Sequence, residues 1–146
     1  MILRTTNYKN VYSALHYGFM PVSIDSNPPA EFQGKVFPDL APDPFLAKGY
    51  SNGTISQELF RELYNKKLDR IDNITSLVSK LSNIAGSQKI CLVSLGKPGK
   101  FCHRKLLAEW LIKKGFFTKE LSVYQGASAK NKNAQLDNQV SSAHLF

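Results

Sequence analysis

Two spacings of apolar residues alternate along this chain, one of strands and one of helices. Met1–Thr5 reads as a short edge or first strand. From Tyr8 to His16 the spacing turns helical, with Val11, Tyr12, Leu15 and His16 on one face and Gly18 as a stop. Met20–Ile24 then reads as a short buried strand, ended by Asp25–Ser26–Asn27–Pro28–Pro29.

Periodicity disappears from Asp25 to about Asn52, where Pro28, Pro29, Pro38, Pro42 and Pro44 punctuate the chain. Each proline fixes its own φ and pushes its predecessor out of the helical region, so this stretch is expected to be neither helix nor central strand. It still carries Phe32, Val36, Phe37, Leu40, Phe45, Leu46 and Tyr50. Such residues want burial, which predicts an ordered covering loop, and long ordered loops often carry function.

Helical spacing resumes at Thr54, with Gln57 placed as in a capping box. Ile55, Leu59, Phe60, Leu63, Tyr64 and Leu68 form one stripe, and after a break near Asp69–Asp72 a second stripe runs through Ile74, Leu77, Val78, Leu81 and Ile84 to Gly86. Ile90–Leu95 is apolar nearly throughout, the signature of a strand covered on both faces. The turn Gly96–Lys100 leads to a helix from Phe101 or Cys102 through Leu106, Leu107, Trp110 and Leu111 to Lys113–Lys114 and Gly115. Phe116–Tyr124 reads as a last strand. The expected fold is therefore α/β, one domain over residues 1–124 with a small, mainly parallel sheet flanked by helices. Residues 125–146 read as a polar, poorly ordered tail.

Composition narrows the class. In 146 residues, 42% are hydrophobic, enough for a core and against a wholly disordered chain. No run approaches a membrane span, and Met1–Ile2–Leu3–Arg4 lacks a signal-peptide core, so a cytoplasmic protein with free thiols is expected. Two cysteines are too few for a disulfide scaffold. A net charge of +8 favours polyanionic partners, as it also favours plain solubility. No RNA-recognition or helix-turn-helix pattern is present, so a pocket is preferred to an extended nucleic-acid surface.

The chemistry concentrates between Ser94 and Arg104. A buried strand enters a glycine-rich basic turn and then a helix, whose free amides and dipole favour an anion. In an open α/β sheet, ligands bind beyond the carboxyl ends of the strands, where this turn lies. The order of Gly96 and Gly99 is not that of a P-loop, and Ala108 stands where the cysteine loop of tyrosine phosphatases has its arginine. Cys102 and His103 are the catalytic candidates; Ser94, Lys97, Lys100, Arg104 and Asp25 are the expected ligand contacts. At about 100° per residue, His103 falls inside the helix stripe while Cys102 and Arg104 flank it. Adjacent helical side chains diverge, so a base for Cys102 has to come from elsewhere. A structural histidine and an inert helix-start cysteine are the competing readings. Cys91, within the apolar strand, reads as core. Cys91 and Cys102 lie eleven residues apart, outside the usual zinc spacings, so neither metal nor cofactor is expected.

Lys100–Phe101–Cys102–His103–Arg104, followed by Leu107–Ala108–Glu109–Trp110–Leu111, resembles the domain of unknown function 488 family of bacteria and phages. Ile24 through Pro28–Pro29, Leu40–Ala41–Pro42, Gly53, Tyr64 and Leu68 follow that family's order of landmarks, so the resemblance spans roughly Thr6 to Leu121. It implies a compact α/β domain with its site at Cys102–His103–Arg104. The family commonly has a cysteine and a glutamate where Ser94 and Gly96 stand here, which puts a second nucleophile or general base in doubt.

Three readings follow. The first is binding and enzymatic processing of a phosphate-bearing ligand, a nucleotide or nucleic acid, at Cys102–His103–Arg104. The second is a non-catalytic, phage-type binder or sequestering protein for a nucleotide, nucleic acid or host protein. The third is an adaptor for a protein partner, in which the motif only stabilises the fold. The sequence leaves the oligomeric state open.

Overall fold

The expected alternation of strands and helices closes into one five-stranded sheet, every strand parallel to its neighbours. The computed structural model describes residues 1–97 and 99–125. The elements are β1 (Ile2–Asn7), α1 (Val11–His16), β2 (Met20–Ser23), β3 (Lys35–Val36), α2 (Pro44–Ser51), α3 (Gln57–Asp69), α4 (Ile74–Ala85), β4 (Lys89–Ser94), α5 (His103–Lys113) and β5 (Thr118–Glu120), with 3₁₀ turns at Tyr8–Asn10 and Pro38–Leu40. The expected tail lies outside the described residues from residue 126 onward.

The strand order is β3-β2-β4-β1-β5. β4 therefore pairs on both edges, with β1 from Ile2↔Lys89 to Asn7↔Ser94 and with β2 from Met20↔Ile90 to Ser23↔Val93. That position explains its composition: Ile90, Cys91, Leu92 and Val93 are all fully buried, alternate side chains facing opposite sides of the sheet. On one face Leu3, Val22, Ile24, Ile90 and Leu92 join α3, α4 and α5 in the main core. On the other, Cys91 packs with Ala14, Tyr17, Phe19 and Leu121 beneath α1. Cys91 is thus core, and burial, followed by the charge of Glu120, pushes its thiol well above the ordinary range.

The covering segment is ordered but less irregular than its prolines suggest. Pro44 opens α2 at its first turn, where the missing N–H has no helical acceptor and the fixed φ already suits a helix. The proline argument therefore fails for Pro44–Ser51, and β3 adds a two-residue edge strand earlier in the same stretch. Phe37 and Leu40 are fully buried as expected, whereas Phe45 is 64% exposed. The Tyr64 hydroxyl donates to the Leu40 carbonyl at 2.6 Å, tying this segment to α3.

Boundaries move: β1 runs on to Asn7 past the expected Thr5, and α1 starts at Val11 after a 3₁₀ turn. Thr54 is engaged with Asn52 and the Gly49 carbonyl, so Ser56 caps α3 instead, accepting the Leu59 amide at 3.1 Å. Of the expected strand Phe116–Tyr124, only Thr118–Glu120 pairs, with β1. Beyond it the chain turns to α1, where the Tyr124 amide donates to Ser13 Oγ at 2.7 Å.

This topology fixes where a site can be. From the central pair, β1 sends its crossover toward β2, and β4 sends α5 the opposite way toward β5. Connections leaving neighbouring strands in opposite directions open a crevice at the carboxyl ends of those strands, here Asn7–Tyr8 and Ser94–Gly96.

Candidate functional site

The turn after β4 is built around Arg104. Its side chain is 2% exposed although arginine is almost never fully buried without partners. Nη1 donates to the Ser94 carbonyl at 3.1 Å, to Ser94 Oγ at 2.9 Å and to the Leu95 carbonyl at 3.2 Å. Nη2 donates to the Gly96 carbonyl at 3.3 Å and to Glu120 Oε2 at 3.0 Å, and Nε donates to Glu120 Oε1 at 3.0 Å. These contacts occupy the five N–H groups of a guanidinium. The structure thus gives Arg104 a task other than the expected clamp on a ligand: it gathers three successive carbonyls of the turn. Ser94, fully buried and bonded to Arg104, likewise stands behind the turn and not on a ligand surface.

His103 and Arg104, adjacent at the start of α5, lead to opposite ends of the turn. The His103 ring is buried, with Nε2 3.0 Å from the Ile24 carbonyl and 3.1 Å from Asp25 Oδ1. A carbonyl only accepts, so Nε2 carries the proton and Nδ1 is the basic nitrogen of the neutral ring. Asp25 also accepts the Tyr8 hydroxyl at 2.8 Å and the Leu95 amide at 3.1 Å, both on Oδ2. Asp25, expected as a ligand contact, is therefore a hub that orients His103. Burial alone would raise its carboxyl. The His103 hydrogen bond and charge, with the Tyr8 and Leu95 donors, outweigh that and hold it below the usual value. Tyr8 in turn shares a 2.7 Å hydrogen bond with Ser23 Oγ, and burial, with the neighbouring Asp25, pushes its phenol well above the ordinary range. It stays a proton donor at neutral pH.

Cys102 is the N-cap residue of α5 and is half-buried. It lines a cavity of about 240 Å³ together with Thr5, Gly99, Lys100, Lys105 and Glu120, and with Arg104 and Ala108 at its base. His103 is not among the lining residues, so the two catalytic candidates diverge, Cys102 being an extended N-cap residue and His103 the first residue of the helix. Lys100 borders this cavity; Lys97 is exposed on the same turn without lining it. Among the described residues no cluster of His, Cys, Asp and Glu is set to hold a metal.

Gly96 shows how tightly the turn approaches the thiol. Its φ is +115°, and a Cβ there would lie 3.1 Å from Cys102 Cβ. Gly96→Ala should cost about 1–2 kcal/mol from backbone strain and slow alkylation of Cys102, measured by urea denaturation and by iodoacetamide labelling. Unchanged labelling in a folded variant would refute the contact.

Sequence reasoning missed Tyr8, Lys105, Thr5 and Glu120. Lys105 followed directly from the motif and could have been added as its next residue. Tyr8, expected as the start of a helix from Tyr8 to His16, comes to the strand end only because β1 runs on to Asn7. Glu120 and Thr5 carried none, because only the pairing of β5 with β1 brings Thr5 Oγ1 within 2.6 Å of Glu120 Oε1.

A family model described as the active DUF488-N3 subclade (DUF488-N3a) matches residues 7–115. No curated protein and no solved structure matches the chain. The matched span holds Tyr8, Asp25, the turn and Cys102–Arg104, and it leaves Thr5 and Glu120 outside. With most of its length covered by that model, the chain belongs to the DUF488 family, within its DUF488-N3a subclade.

Proposed function

We propose that this protein binds a phosphate-bearing ligand in the cavity between β1, β5 and the start of α5 and processes it through Cys102 as nucleophile. The observation that carries the reading is the half-buried Cys102 at the mouth of α5, lining a cavity together with Lys100 and Lys105. Amide groups at the start of a helix and two nearby ammonium groups favour an anion at that spot. A net charge of +8 adds long-range attraction for polyanions. The cavity, at about 240 Å³, is smaller than typical sites for drug-sized ligands, so it suits a phosphate group and its immediate neighbours, with the rest of a nucleotide or strand outside.

Within this reading His103, outside the cavity lining and held by Asp25 and the Ile24 carbonyl, anchors the other end of the turn. Arg104 preorganises the turn through its carbonyls while also bordering the cavity. The subclade's description as active favours chemistry over binding alone.

Of the two cysteines only Cys102 is accessible, so labelling with iodoacetamide reports on it directly. Inorganic phosphate should slow that labelling saturably, and Lys100→Ala should weaken the protection. Labelling indifferent both to phosphate and to phosphate monoesters overturns the proposal. Protection without phosphate release from nucleoside mono-, di- or triphosphates would instead support a binding protein without turnover.

A further inference from the structure

The Cys102 cavity contains a carboxylate that neither the motif nor the matched span supplies. Glu120 comes from edge strand β5 and lines the cavity with Cys102, Lys100 and Lys105. It is held there on three sides: Thr5 donates to Oε1 at 2.6 Å, and Arg104 donates to Oε1 and Oε2, both at 3.0 Å. An ionised carboxylate offers about four lone-pair positions. Those three contacts leave one on Oε2, and the side chain is still 37% exposed where it meets the cavity.

Charge makes this consequential. Arg104, fully enclosed, would otherwise present an uncompensated positive charge under Cys102. Glu120 cancels it on the spot, so the attraction for anions comes from Lys100 and Lys105, and an acceptor is left beside the thiol.

We infer that Glu120 determines the specificity of the Cys102 cavity, admitting a ligand that carries a cationic or hydrogen-bond-donating group next to its anionic group. This rests on the proposed phosphate-binding reading and narrows it: the ligand is a phosphate ester with an amine or hydroxyl close to the phosphorus. A simple oxyanion would leave the Glu120 acceptor facing negative charge at short range, which is costly in a confined site.

The test uses three methanethiosulfonate reagents of different charge: ethyltrimethylammonium, methyl and ethylsulfonate. Each forms a mixed disulfide with Cys102 and releases methanesulfinate. The rate ratio of cationic to anionic reagent, normalised to the neutral one, should fall about fivefold or more in Glu120→Gln, as expected for loss of a nearby unit charge. It should stay within about twofold in Thr5→Val, which loses a hydrogen bond to Glu120 but no charge. A folded Glu120→Gln protein with an unchanged ratio overturns the inference. Should that variant not fold, the comparison of two phosphates in wild-type protein carries the test. O-phosphoethanolamine should shield Cys102 at lower concentration than inorganic phosphate in wild type and lose that advantage in Glu120→Gln; equal shielding in wild type overturns the ligand class. If neither compound shields Cys102 while the reagent ratio still shifts, the phosphate reading falls and the charge role of Glu120 stands.

Discussion

Arg104→Ala should lower stability by about 3 kcal/mol, the largest single effect expected at the site. The substitution removes the guanidinium donors to the carbonyls of Ser94, Leu95 and Gly96, keeps the Ser94 Oγ donor to the Leu95 carbonyl, and leaves Ser94 Oγ and the Ser94 carbonyl buried without their Arg104 partner. Glu120 softens the loss, because a carboxylate 37% exposed can hydrate once the guanidinium is gone. Arg104→Lys should rescue little. A single ammonium cannot reach the turn and both Glu120 oxygens at once, since it lacks the planar fork. Urea denaturation at neutral pH measures both variants, and the loss corresponds to a drop in Tm of roughly 10 °C for a chain of this size. Near-wild-type stability in Arg104→Ala would mean that the turn is held by something other than this guanidinium, and the account of the site would have to be rebuilt.

Asp25→Asn should cost about 2 kcal/mol at neutral pH, with a pH dependence that identifies the cause. Asp25 orders three donors, from Tyr8, Leu95 and His103. Its folded-state carboxyl titrates below the unfolded value, so its contribution is fully present above the unfolded pKa of about 3.9. That contribution is lost as pH falls through the lower folded value. The stability gap between wild type and Asp25→Asn should therefore shrink as the pH falls below about pH 4. A gap that does not shrink there, down to the acid transition, would contradict the assigned direction. Because the same carboxylate fixes the His103 ring, any turnover that uses this imidazole should fall with the substitution while phosphate protection of Cys102 persists.

The extent to which the fold could be read in advance depended on how local each cause was. β4 was legible because a strand covered on both faces has to be apolar at every position, and Ile90–Val93 is. α3, α4 and α5 were legible from stripes at helical spacing, and α4 ends at Gly86, which adopts φ +65°. α2 was not, because the same residue, proline, breaks a helix in its interior and starts one at its first turn, and only the surrounding chain decides which. The short β5 was overread, since three paired residues leave a pattern no different from an apolar loop that packs on α1.

The candidate site divided along the same line. The turn and the cysteine at the helix mouth followed from sequence, because strand, turn and helix are contiguous. The divergence of Cys102 from His103, expected from helical rotation, arises instead from the extended backbone of Cys102 ahead of α5. The partners of those residues did not follow. Arg104 reads as a ligand clamp until Glu120 and the carbonyls of the turn are seen to surround it, and Asp25 reads as a ligand contact until β2 sets it 3.1 Å from His103. By itself, then, the sequence determined the α/β class, the order of the principal elements and the segment where chemistry concentrates. Tertiary structure alone decided which charges cancel and which carboxylates face the thiol and the imidazole, because those pairings depend on strand order. Parallel β1, β4 and β5 bring together residues as far apart as Thr5 and Glu120, and no local spacing encodes that neighbourhood.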